Sequence, residues 1–120
     1  MEDRIRFVEH KGKQILLADL SHCNAKDVEK LALLVPSYVT SEPRGSVLLL
    51  ADFTGAEFDR IAVERLKESA VFDRPHVKRS AWVGIESLPK IFFEHIKNFS
   101  RRELPTFKTR EEAMDWLVKE

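Results

Sequence analysis

Two stretches of this chain set an acidic side chain two residues ahead of a hydroxyl: Asp19-Leu20-Ser21 and Asp52-Phe53-Thr54, the second followed by Gly55. Acids and hydroxyls at the ends of strands could serve an enzyme through Asp19, Ser21, His22 or Asp52, or could form a binding site. A helix beginning near Ala56 would add free N–H groups and the positive end of a dipole, which favour phosphate or carboxylate ligands. Two carboxylates at one edge oppose such an anion unless they are protonated or paired. The competing assignment is that Asp52 or Thr54 caps that helix and Gly55 permits the turn, the commoner work of these residue types. Asp19, Ser21, Asp52, Thr54 and Gly55 are the candidate binding residues.

No other group of residues completes a catalytic set. Ser21, His22 and Cys23 are consecutive, and neighbours on a strand or loop point apart, so a Cys–His nucleophile is not expected. His10, His22, His76 and His95 lack zinc or iron spacing, and a single cysteine adds little. No metal and no cofactor is expected. Four glycines at these positions form no phosphate loop. Glu57, Asp59, Glu111 and Glu112 fall in expected first turns of helices, where they complement the dipole.

A second candidate surface lies between Phe92 and Lys108. Phe93 stands off the expected apolar stripe of its helix and Phe99 lies near the helix end, with Lys97, Arg101, Arg102 and Lys108 around them. A basic patch with aromatics can bind phospholipid, nucleic acid or an acidic partner. The alternative is a solvated helix end, with Phe93 covered by the last helix. The 20 basic and 20 acidic residues cancel, so no net field draws the whole protein to nucleic acid, and none is expected as a partner.

The elements that position these residues follow from periodicity. Arg4–His10 and Gln14–Leu20 read as a hairpin around Gly12. Asn24 caps a helix carrying Val28, Leu31, Ala32, Val35 and Val39, which Pro36 is expected to kink or end. Ser46–Phe53 is a strand, and its unbroken run Val47–Ala51 predicts burial on both faces, as in parallel sheets. A second helix presents Phe58, Ile61, Ala62, Leu66 and Ala70. Asp73-Arg74-Pro75 interrupts the chain before a strand over 77–85. Ser87 is the expected cap of a third helix that buries Leu88, Ile91, Phe92, His95, Ile96 and Phe99. An extended piece at 104–108 leads to the capping box Thr109–Glu112 and a last helix burying Ala113, Trp116 and Leu117.

A hairpin followed by alternating helices and strands is an α/β fold with a mostly parallel sheet of about five strands and four helices. Leu16–Ser21 echoes Leu49–Thr54; if the strands are parallel neighbours, Asp19, Ser21, Asp52 and Thr54 gather along one edge. With 120 residues, 43% of them apolar, the chain is read as one domain over 1–120 with a core that needs no disulfide. Cys23, alone, points to a reducing compartment. No signal layout opens the chain and no apolar run approaches the ~20 residues of a membrane span. A cytoplasmic location is expected.

LLLADFTG (Leu48–Gly55), DRPHVKRSAWVG (Asp73–Gly84), Phe99-Ser100-Arg101-Arg102 and FKTREEAMDWL (Phe107–Leu117), taken in order and spacing, resemble the SpoIIAA-like branch of the STAS superfamily. The resemblance spans almost the whole chain and implies a sheet of about five strands, its parallel part wound as a βα superhelix. It also implies a stand-alone bacterial regulatory protein akin to anti-sigma-factor antagonists. Those carry a phosphoacceptor serine in an Asp-Ser-Ser-Gly stretch after the central strand. Here Asp52-Phe53-Thr54-Gly55 puts Phe53 in the acceptor slot, and an alternative alignment on Ala56–Asp59 offers no hydroxyl.

The expected function is therefore a non-enzymatic module acting through protein contacts at the Asp52–Thr54 edge. Binding of a small lipid-like ligand is the alternative. It draws on the kinship of this fold with CRAL-TRIO domains and on Phe92, Phe93 and Phe99. A homodimer through an exposed strand edge or helix is compatible with either.

Overall fold

The hairpin strands β1 (Ile5–His10) and β2 (Lys13–Asp19) pair antiparallel at one edge of a five-stranded sheet in the computed structural model. All 120 residues are described except for the side chain of Glu2. The sheet order is β1-β2-β3-β4-β5, with β3 (Val47–Asp52), β4 (Val77–Val83) and the two-residue β5 (Thr106–Phe107) parallel to β2. Each strand therefore lies beside its predecessor, and the helices α1 (Ala25–Val39), α2 (Arg60–Asp73) and α3 (Lys90–Ser100) connect neighbours.

All six residues of β3 are buried, because both faces of the sheet are covered. Val47, Leu49 and Ala51 join the core beneath α1, α2 and α3, whereas Leu48 and Leu50 pack with α4 (Arg110–Leu117) on the other face. Phe53, fully buried, centres an aromatic row: its ring lies 4.7 Å from Trp82, and Trp82 lies 5.5 Å from Phe93. Hydrophobic burial over two layers is the main stabilising term for such a core.

The strands and helices fall within a few residues of the expected spans, and the departures are local. Pro36 sits inside α1 without ending it. It removes one donor near the C-terminal end, and the Thr40 N–H and hydroxyl both donate to the Pro36 carbonyl, at 2.8 and 2.7 Å. α2 begins at Arg60 behind Asp59, not near Ala56, and Ile61 lies half exposed.

Ser87 does not cap α3. It belongs to a 3-10 turn, donates to the Ala56 carbonyl at 2.6 Å, and leaves Pro89 at the cap position. The buried face of α3 is turned accordingly: Phe93, Ile96 and Ser100 point inward, while Ile91, Phe92, His95 and Phe99 are exposed. Trp116 is half-buried against Phe107 rather than enclosed.

One polar cluster lies within the three-helix layer. Asp73, the last residue of α2, is buried and accepts from Ser69 Oγ at 3.2 Å, while its Oδ1 and Arg102 Nη2 have no partner among the described residues. Both side chains border a cavity of about 40 Å³ between the sheet and α1–α2, room for one or two waters. Burial raises the Asp73 pKa to about 6, against the opposing pull of Arg102, Ser69 and His76.

Folding thus takes up a proton between about pH 4 and 6, and the contribution of Asp73 to stability declines as pH rises through that window. The charged form costs about 3 kcal/mol above it. Asp73→Asn removes this dependence. Urea unfolding from about pH 4.5 to about pH 7.5 should show wild-type stability falling relative to the variant. Parallel profiles for the two proteins would exclude the shift.

Candidate functional site

The parallel register places Asp19 opposite Asp52, at the ends of β2 and β3. Beyond them the chain turns twice in the same way. Asp19 Oδ1 accepts from the Ser21 N–H at 3.0 Å and its hydroxyl at 2.6 Å; Asp52 Oδ1 accepts from the Thr54 N–H at 2.9 Å and its hydroxyl at 2.7 Å. Each turn closes with a backbone bond, Cys23 N to Leu20 O and Ala56 N to Phe53 O. Leu20 N donates to Asp52 O and His22 N to Thr54 O, so strand-like pairing continues through both turns. The sequence echo is thus a structural one, and Asp19, Ser21, Asp52 and Thr54 do share one edge.

His22 and Gly55 occupy equivalent places, at φ +59° and +68°. A side chain at Gly55 would strike the His22 ring, at 2.5 Å from Nδ1. Gly84, φ +70°, has the Thr54 N and Cα only 2.7 Å from where its Cβ would stand, so that crossing needs glycine.

Arg110, the first residue of α4, reaches over this edge from the opposite face of the sheet. Its Nε donates to Asp52 Oδ2 at 2.5 Å and its Nη2 lies 3.0 Å from Asp19 Oδ1. Burial opposes the charge on Asp19, but the two Ser21 hydrogen bonds and Arg110 outweigh it and hold the carboxyl below the usual range. Burial likewise works against the Arg110 charge, and the Asp52 and Asp19 carboxylates more than compensate, raising its pKa. Arg4 Nη1 adds hydrogen bonds to the carbonyls of Asp19 and Ser21, at 3.1 and 3.0 Å. Sequence reasoning missed both arginines. A cation in the first turn of a helix, where the dipole favours acids, was the available sign for Arg110.

This geometry is poor in reactivity. Both hydroxyls donate to carboxylates, and a depressed pKa makes Asp19 a weak base. Burial pushes the Cys23 thiol up, away from thiolate. The helix start considered near Ala56 lies instead at Arg60, and Asp59, not Asp52 or Thr54, caps it, accepting from Ala62 N at 2.8 Å. Asp59 is therefore a cap and Glu57 precedes the helix, its N–H donating to Cys23 O.

The second candidate surface divides. Phe93 and Arg102 turn inward, Phe93 against Trp82 beneath the three-helix layer rather than under α4. Phe99 and Arg101 remain exposed. His95 is exposed too, 3.3 Å from Lys67 Nζ, and is no core histidine.

Arg110→Met keeps an unbranched apolar stem, removes the guanidinium and leaves Asp19 and Asp52 facing each other. The expected loss is about 2 kcal/mol near neutral pH by chemical denaturation. The pairing of Asp19 stabilises the fold above its unfolded pKa near 3.8 and is lost as pH falls through the lower folded value. The deficit of the variant should therefore shrink below about pH 4. A deficit that stays constant into acid would show that Arg110 acts through packing alone.

No protein-family model and no curated protein matches the sequence. Among solved structures, the chain is similar to an uncharacterised DUF3478-family protein with a SpoIIAA-like fold from Shewanella loihica PV-4. The TM-score is 0.69 at 19% identity, over 95% of this chain and 92% of that one. The five-stranded, mostly parallel sheet, with one helix on the face opposite the other three, is a SpoIIAA-like fold.

Proposed function

We propose that the chain is a non-enzymatic regulatory module that works by binding a protein, a second copy of itself included. The contact surface comprises the two strand-end turns and the first turn of α3 at the same end of the sheet. One observation carries this reading: Ile91 and Phe92, in the first turn of the helix that follows β4, are 74% and 43% exposed, while the carboxylates ending β2 and β3 are already paired. Exposed apolar side chains bordered by satisfied polar groups are characteristic of protein-binding surfaces.

The state of the edge argues against both catalysis and a phosphoserine-type switch. Phe53, which stands in the acceptor slot of the resemblance, is fully buried. Thr54 is exposed, but its hydroxyl is bound to Asp52. A lipid-like ligand finds less support, since the interior cavity of about 40 Å³ has room for one or two waters and not for an acyl chain. No helix among the described residues is long and apolar enough to cross a membrane.

Ile91→Glu tests the surface, with Leu33→Glu on exposed α1 as control. Sedimentation and affinity capture from the source cells should show self-association or one discrete partner for wild type. Ile91→Glu should weaken that contact at least about ten-fold, the effect of losing a buried anchor. Leu33→Glu should leave it intact. A monomeric wild type that retains nothing, or undiminished binding by Ile91→Glu, would refute the proposal.

A further inference from the structure

At the opposite end of the sheet, where β4 begins and α2 and α3 end, positive charge outnumbers negative. Arg44, Arg74 and Arg101 line one open hollow of about 610 Å³, together with Val71 and Phe99. Arg74 and Arg101 also border an adjoining hollow of about 350 Å³ with Lys78. Among the described residues, none of these four cations has a carboxylate within 4.0 Å. Glu103 is the one acid lining either hollow, and Asp73 lies buried behind them, on the cavity it shares with Arg102.

A helix C-terminus attracts single cations, which accounts for Arg74 or Arg101 taken alone. It does not account for Arg44, which comes from the loop before β3 and closes the same hollow. Burial presses the Arg102 pKa downward, Asp73 opposes it, and the Arg74 charge adds a smaller downward push. Arg101 also stands at φ +55°, a backbone state in which glycine is the usual helix-ending residue. A long charged side chain is thus held where the fold itself would be better served by none.

We infer that this hollow is a binding site for a ligand carrying clustered phosphate groups, held by Arg44, Arg74 and Arg101. Guanidinium groups match phosphate oxygens in paired hydrogen bonds, and three around one hollow suit a multiply charged anion better than a single one. The volume exceeds that of one phosphate and is open, so the ligand enters without a change in the fold. The site is independent of the strand-end surface and stands whether or not that surface binds protein. Its ligand is either a soluble polyphosphorylated molecule or the phosphorylated headgroup of a lipid.

Inorganic tripolyphosphate and phosphatidylcholine vesicles doped with phosphatidylinositol bisphosphate serve as probes, followed by calorimetry and co-sedimentation on the full chain. At least one should bind saturably, and more weakly as salt rises. Vesicle binding without tripolyphosphate binding identifies the lipid source; the reverse, or binding of both, identifies phosphate clusters free in solution as sufficient. Arg101→Gly should reduce affinity at least about ten-fold while leaving the melting temperature unchanged or higher. A structural role for Arg101 alone would give neither result. Arg44→Glu, in a loop, should weaken binding similarly, and Lys30→Gln on α1 should not. Failure of both probes to bind, or equal binding by Arg101→Gly, Arg44→Glu and Lys30→Gln, would overturn the inference.

Discussion

The fold is organised around one electrostatic constraint: two carboxylates end adjacent parallel strands in register and must be neutralised from elsewhere. Strands lie about 4.8 Å apart, and at that spacing two negative charges repel by about 3 kcal/mol at an effective dielectric near 20. Local hydrogen bonds from Ser21 and Thr54 ease each charge separately, but they do not cancel the pair. Arg110 does, with one guanidinium against both. Since it opens α4, the same contact fixes where the last helix crosses the sheet. Leu48 and Leu50 are thereby covered, and β3 can be apolar on both faces.

How much of this was legible from sequence depended on the range of the interaction. The echo between Leu16–Ser21 and Leu49–Thr54 was visible because parallel neighbours in register repeat the same local solution. Capping at Asn24 and Thr109 was visible because it is decided within four residues. Arg110 was not, since its partner Asp52 lies 58 residues away and nothing local demands it. The face of α3 was misread for a related reason. Ile91, Phe92, Phe93, Ile96 and Phe99 cover so much of the helix that two faces compete. The choice falls to Pro89, which sets the entry, and to Trp82, which offers its ring to Phe93.

Zero net charge excludes a field over the whole protein and leaves local patches open. Formal neutrality constrains the total and not its distribution, and a field of several kT can form over one face of a neutral protein. Here the carboxylates at the strand ends are paired by arginines drawn from elsewhere, whereas Arg44, Arg74, Lys78 and Arg101 at the other end have no such partners among the described residues. Sequence reading had placed Arg101 and Arg102 together as equals. The chain separates them: consecutive residues after an αL helix end point in different directions, one outward and one toward Asp73.

That separation ties the interior to the surface. Asp73 is the carboxylate nearest in sequence to Arg74, yet it is buried at the end of α2 and faces Arg102 across the small cavity. A buried carboxylate that titrates near 6 screens external cations poorly, because the protein between them and its own partial protonation both reduce its field. Turned outward, Asp73 would leave the buried Arg102 without its counter-charge, so it stays inside. The arrangement therefore sustains two unfavourable terms at once, an incompletely satisfied buried pair and an unscreened cluster of guanidinium groups. With Asp73 committed to Arg102, it is withheld from the Arg44, Arg74 and Arg101 that line the hollow, and this is the physical reason to regard the lower end of the sheet, and not only the paired carboxylates at its upper edge, as a working surface.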